Sequence, residues 1–151
     1  MKIFISGHSE SLITGGRNEK GVTLQSTEFI DILQLHGFRG HSVPGPDLPV
    51  AVRGHSMVYI TDFPETIMVI GGSGSTGFTG ETYVFKNFGE ITEGPLLTVP
   101  RYLHASSILR DSVTNMKYVV VTGGYGIIGE LDSVEVLKSP NGNEWIEGKF
   151  L

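Results

Sequence analysis

The chemistry open to this sequence is limited first by an absence. Its 151 residues contain no cysteine, which removes disulfides, thiolate metal sites and cysteine nucleophiles together and leaves the redox compartment open. Five histidines remain, His8, His36, His41, His55 and His104. Metal ligands usually come in local pairs, and the only close pair is His36 and His41, in a stretch with no carboxylate; no metal site is expected there. Serines stand beside glycines in Ser6-Gly7-His8-Ser9 and Gly72-Ser73-Gly74-Ser75. Neither opens a helix, as a nucleophile elbow must. Gly71-Gly72-Ser73-Gly74 lacks the lysine and helix N-terminus of a phosphate loop. Acids such as Glu65, Glu81, Glu90 and Glu130 stand singly along the chain, and nothing marks two of them as an acid–base pair. The expectation is a protein that is not an enzyme, with no cofactor.

Composition narrows the partners. Charged residues make up 18% and the formal net charge is −5. That balance offers no basic footprint for nucleic acid or anionic lipid. The start, Met1-Lys2-Ile3-Phe4-Ile5-Ser6, is too brief for a secretory segment, and no stretch approaches membrane-spanning length. Localisation is left unassigned. Hydrophobic residues at 39% suffice for a packed core. Glycine, at 21 residues, is in excess without a collagen-like period, which reads as turn chemistry in a many-stranded fold.

The elements that position these residues are repeated. Leu12-Ile13-Thr14-Gly15-Gly16, Met68-Val69-Ile70-Gly71-Gly72 and Val120-Val121-Thr122-Gly123-Gly124 each end an apolar run in a glycine pair, 56 residues apart from Gly15 to Gly71 and 52 from Gly71 to Gly123. Aligned without gaps, the three segments share a glycine five residues on (Gly21, Gly77, Gly129) and a large apolar residue thirteen on (Phe29, Phe85, Leu137). Each unit reads as four short antiparallel strands. The second is apolar at nearly every position, as expected of a strand covered on both faces, and the glycine pair ends it where the backbone turns sharply. Asn87-Phe88-Gly89 and Pro140-Asn141-Gly142 supply turns after the third strand. A buried second strand in a four-stranded period of about fifty residues suits a propeller blade.

The glycine pair, the apolar residue thirteen on, the tryptophan of unit three (Trp145) and the opening segment Pro100-Arg101-Tyr102-Leu103-His104 together resemble the kelch repeat. Unit two has a looser opening, Pro49 through Arg53 and His55. The resemblance covers essentially the whole chain and implies an all-β fold: a partial kelch-type β-propeller of three four-stranded antiparallel blades, about 1–47, 48–98 and 99–151. Units one and two lack the tryptophan, and unit three carries Leu137 where an aromatic is expected. His55 and His104 read as framework. The resemblance implies a binding scaffold for a protein or peptide, with loops on one face as contacts, and by position it nominates Arg17, Asn18, Arg53, Ser73, Ser75, Arg101 and Tyr125. The alternative is a fragment of a propeller enzyme acting on carbohydrate, with catalytic residues outside this chain. The copper oxidase of that kind needs a cysteine, which is absent here. Three blades do not close a ring, so further blades in a longer chain, a homodimer completing a six-bladed ring, or an incomplete solenoid are all open.

Overall fold

The computed structural model describes residues 2–5, 10–31, 42–62, 65–87, 89–139 and 142–148. His8, His36 and His41, with Ser6 and Ser9, lie outside them, as do Phe88, Pro140 and Asn141 of the expected turns. The described residues contain no helix and form three four-stranded antiparallel sheets and one two-stranded ribbon. Sheet one runs in order β1 (Lys2–Ile5), β2 (Glu10–Arg17), β3 (Thr23–Asp31) and β4 (Ser42–Pro44). Sheet two consists of β5 (Ser56–Asp62), β6 (Glu65–Gly74), β7 (Gly77–Lys86) and β8 (Glu90–Glu93). Sheet three consists of β9 (Ala105–Arg110), β10 (Lys117–Thr122), β13 (Val134–Ser139) and β14 (Ile146–Gly148), and the ribbon pairs β11 (Tyr125–Gly126) with β12 (Gly129–Glu130). The first strands β1, β5 and β9 touch in succession.

The apolar second strands pack between sheets by alternation. In β6, Ile67 and Val69 join Leu12, Leu48, Val52, Tyr83 and Phe85 in a cluster against sheet one. Met68 and Ile70 point the other way, into a cluster with Val119, Val121, Leu137 and Trp145 of sheet three. Successive side chains of a strand face opposite ways, so one run serves two cores, and each such side chain stabilises by about 1.5–3 kcal/mol on full burial. The flanking strands carry half of this pattern. Leu12 and Thr14 of β2 are buried toward sheet two while Ile13 is half-buried; Val119 and Val121 of β10 are buried while Val120 is half-buried and Thr122 exposed.

The glycine pairs occupy equivalent places but do not end the strand in units one and two. β2 and β6 run on through them to Arg17 and Gly74, with a register shift at Thr14/Gly16 and at Ile70/Gly72. The glycines form a bulge, at φ 49° and 103° for Gly15 and Gly16, 57° and 113° for Gly71 and Gly72, and 65° and 90° for Gly123 and Gly124, values costly for any residue with a Cβ. Only in unit three does the ladder break, leaving β11 and β12 as a separate ribbon.

The bulge also joins one sheet to the next. Gly16 N–H donates to Val52 O and Gly72 N–H to Arg101 O, both at 2.8 Å. Beside these bonds, Thr14 Oγ1 meets His55 Nε2 at 2.7 Å and Ser56 Oγ meets His104 Nε2 at 2.8 Å. The repeated bonds place Val52, three residues before its histidine, in register with Arg101. Arg53 therefore corresponds to Tyr102, not to Arg101. Unit one also departs from the gap-free alignment. Gly45 N–H bonds Thr27 O as Gly94 N–H bonds Thr82 O, and Thr27 and Thr82 hydroxyls donate to Pro46 O and Pro95 O. Thr27 is thus the counterpart of Thr82, which makes Phe29 the counterpart of Val84 and Ile30 that of Phe85. The hairpin after Gly16 holds one residue more than that after Gly72, and one residue moves a side chain to the opposite face.

A Cβ on Gly72 would stand 2.8 Å from Arg53 O, at φ 113°, whereas Gly89 has no such φ and its nearest neighbour is Asn87 O at 3.8 Å. Gly72→Ala is expected to cost about 2 kcal/mol or more in urea unfolding, and Gly89→Ala no more than about 0.5 kcal/mol. Equal losses would remove the bulge from its joining role.

Candidate functional site

The residue after each glycine pair is Arg17, Ser73 or Tyr125, and the backbone sets its neighbours. Ser73 exchanges two backbone hydrogen bonds with Arg53, at 2.9 and 3.0 Å, and Tyr125 does the same with Tyr102, at 2.8 and 2.9 Å. On its other side Ser73 pairs with Phe78. Directly opposed residues project to the same side, so Arg53, Ser73 and Phe78 form one row. Tyr102 of the next unit lies across it. Its ring stacks on Phe78 with centroids 5.8 Å apart and 17° between planes, and the Arg53 guanidinium carbon sits 5.8 Å from its centroid. Gly54 makes room for this ring: a Cβ there would come within 2.1 Å of it.

Arg53 is half-buried, and its Nε is buried with no hydrogen-bond acceptor among the described residues. Ser73, only 6% exposed, lies in the same row. Tyr125 is half-exposed, with its hydroxyl 3.4 Å from Glu130 Oε1.

Arg101, nominated with Arg53 as a loop contact, is instead fully buried. Its guanidinium donates to Val99 O, to Gly123 O and Ser133 O, to Ser133 Oγ, and to Glu135 Oε1 at 2.9 Å. Glu135, equally buried, accepts further bonds from Thr98 N–H at 2.6 Å and Val99 N–H at 3.0 Å. Every group of the pair is used in holding the opening segment against sheet three, so Arg101 has nothing to offer a ligand. In unit two the same two positions are Val52 and Tyr83, both in an apolar cluster. His55 and His104 are buried and joined to Thr14 and Ser56 as described. Trp145 donates from Nε1 to Pro95 O at 2.9 Å, tying sheet three to the loop leaving sheet two.

The remaining nominees sit in the hairpins. Arg17 donates from Nε to Gly21 O and Asn18 Oδ1 accepts from Val22 N–H, so both shape their own loop. Ser75 lies exposed at the turn after β6. Sequence reasoning missed Tyr102, Phe78 and Gly54. Tyr102 stood inside a quoted motif, yet its role depends on a ring contact with a residue of another sheet. Elsewhere, a cleft of about 230 Å³ on sheet two is lined by Glu81, Tyr83 and Glu93 among others. Burial, then the bond it donates to Glu81 at 2.6 Å, then the charges of Glu81 and Glu93 push the Tyr83 hydroxyl well above its usual range. A second cleft, of about 340 Å³, opens between sheets two and three beside Ile60, Met68, Lys86 and Leu137. No cluster of three potential metal ligands occurs among the described residues, and no helix among them is long and apolar enough to cross a membrane.

The two arginines separate by experiment. Arg101→Met leaves the Glu135 carboxylate buried and unpaired, at an expected cost of about 3–5 kcal/mol in urea unfolding. Arg53→Met gives up a partly exposed cation–π contact worth about 1 kcal/mol or less. Similar losses for both would contradict this division. Tyr83 gives a pH test. The folded state holds its proton above the ordinary tyrosine value of 10.0, so the unfolded chain binds fewer protons at high pH. Stability contributed by neutral Tyr83 is complete below about 10 and declines as pH rises beyond it. Thermal melts between pH 8 and 11 should show a shallower alkaline loss for Tyr83→Phe than for the parent.

No protein-family model matches the sequence, and no curated protein matches it. The fold is similar to that of the solved protein described as "Structure of YjhT", with a TM-score of 0.70 at 14% identity over 97% of this chain and 44% of that one. The chain therefore spans less than half the length of YjhT, and the likeness shows the fold alone.

Proposed function

We propose that this chain is a run of three kelch-type propeller blades that serves as a non-catalytic scaffold, binding a protein or peptide through the hairpins beyond its glycine pairs. The observation that carries the reading is the contrast between framework and tips. The bulges of units one and two close on the next opening segment in the same way and join each of those sheets to the next, while the hairpins after the three glycine pairs share no sequence: Arg17-Asn18-Glu19-Lys20, Ser75-Thr76 and Tyr125-Gly126-Ile127-Ile128. Rigid supports with variable tips suit recognition. Ile127 and Ile128, 88% and 91% exposed, are apolar surface of the kind that partners cover. Propellers have four to eight blades, so further blades, in the same polypeptide or a second copy, would complete the ring. The half-covered face of sheet three, with Val120, Leu109 and Ile146, is where one would pack.

A second reading, a fragment of an enzyme acting on carbohydrate, draws on the cleft holding Glu81 and Glu93. Glu81 is already bound to the Tyr83 hydroxyl there, which leaves the cleft short of the free acid–base pair that glycoside cleavage uses.

Peptides selected from a random displayed library and titrated into isotope-labelled protein should shift backbone resonances in residues 17–22, 73–78 and 125–130. Selected binders that shift only β8 and β14, at the far edges of the sheets, would overturn the reading.

A further inference from the structure

We infer that Arg53 is the anchor of a carboxylate-binding subsite, walled by Tyr102 and Phe78. The inference deepens the scaffold reading and names the chemistry of one contact. It begins with two arginines in adjacent register positions that meet opposite fates. Arg101 directs its guanidinium to four carbonyl or hydroxyl acceptors and a carboxylate. Arg53 directs its guanidinium to none: among the described residues its contact is the face of Tyr102, and its Nε is shut off from solvent without an acceptor. Nη1 and Nη2 are not among the buried unpartnered atoms of the half-buried side chain, and the end-on fork they form matches a carboxylate with two parallel bonds.

The surroundings favour such a ligand. The Arg53 guanidinium carbon lies 5.8 Å from the centroid of the Tyr102 ring, which itself stacks on Phe78, so the fork is pre-oriented and loses little freedom on binding. Phe78 is 37% exposed and Tyr125 45% exposed, which leaves aromatic surface beside the cation for the body that carries the carboxylate. Arg17 occupies the rim position of the preceding unit, the counterpart of Ser73, and has no carboxylate partner among the described residues; its Nε bond goes to Gly21 O. The Tyr125 hydroxyl lies 3.4 Å from Glu130 Oε1. With a net charge of −5, the chain does not draw anions from a distance, so recognition has to come from contact at Arg53 itself and should depend only moderately on salt.

A carboxylate can come from an acidic side chain or from a chain terminus, and small probes separate the two. N-acetylglutamate α-amide presents the side-chain acid and N-acetylphenylalanine the terminal one; their fully amidated forms and inorganic phosphate serve as comparisons. Followed by the Arg53 Nε–H resonance and by the Tyr102 ring protons, at least one acid should shift both signals saturably. The amides should fail to do so, and phosphate should bind more weakly than the better acid. Arg53→Gln should abolish the response, Arg53→Lys should weaken it about tenfold by losing the fork, and Gly54→Ala, which displaces the Tyr102 ring, should weaken it without removing the charge. Acids that leave the Arg53 signal unmoved, amides that bind as well as acids, or full retention of binding in Arg53→Gln would overturn the subsite. Library peptides that still bind the hairpins after such a result would leave the scaffold reading standing. Carboxylate binding at Arg53 in a protein for which no peptide binds would do the reverse.

Discussion

Close approach of backbone to backbone at the glycine bulges is the constraint on which the rest of the structure depends. Gly15 and Gly71 leave no space for a Cβ, which would stand 2.5 Å from Val52 O and 2.9 Å from Arg101 O. Because the gap is closed, a peptide N–H from one sheet reaches a carbonyl that opens the next, and a buried hydroxyl–histidine pair fits beside it. Directional bonds of this kind contribute modestly in net free energy, about 1 kcal/mol each. Their larger effect is to fix the offset between neighbouring sheets, so that the two apolar faces of β6 meet their cores in one arrangement.

The same joint determines what is exposed. Each opening segment is pinned at Val52 or Arg101 by the preceding bulge, and the next residue, Arg53 or Tyr102, pairs back to its own unit just beyond the glycines. That residue therefore stands at the rim between two units, half in and half out. The position inside it is closed, and an arginine there survives only with a full complement of acceptors. Arg101 and Glu135 meet this demand as a pair, while Val52 avoids it. Full burial and half-exposure are thus divided between adjacent positions of one short segment.

Unit three differs from unit two in three ways. Its bulge does not carry the ladder onward, its hairpin tip is apolar, and its second strand alternates buried with half-buried or exposed positions where β6 is continuously buried. Sheet three has a neighbour on one side only among the described residues. Trp145 reinforces that side by reaching back to Pro95 O, the carbonyl that also receives the Thr82 hydroxyl.

Read alone, the sequence determined the all-β character, the recurring glycine pairs and the double burial of β6, because these rest on local rules: a side-chain period of two, and positive φ values that glycine tolerates; that β2 and β10 are covered fully on one face only was not legible in their equally apolar runs. Two errors came from counting along the chain. A gap-free alignment sets Phe29 beside Phe85 because one additional hairpin residue is invisible until strands are paired, and the looser opening of unit two sets Arg53 beside Arg101 although it stands one residue nearer its histidine. Only the tertiary structure decided which arginine is satisfied. The carboxylate that receives Arg101 lies 34 residues away on another strand, and the ring that shields Arg53 belongs to the next sheet. The cost of burying a charge is set by partners that no local pattern brings together.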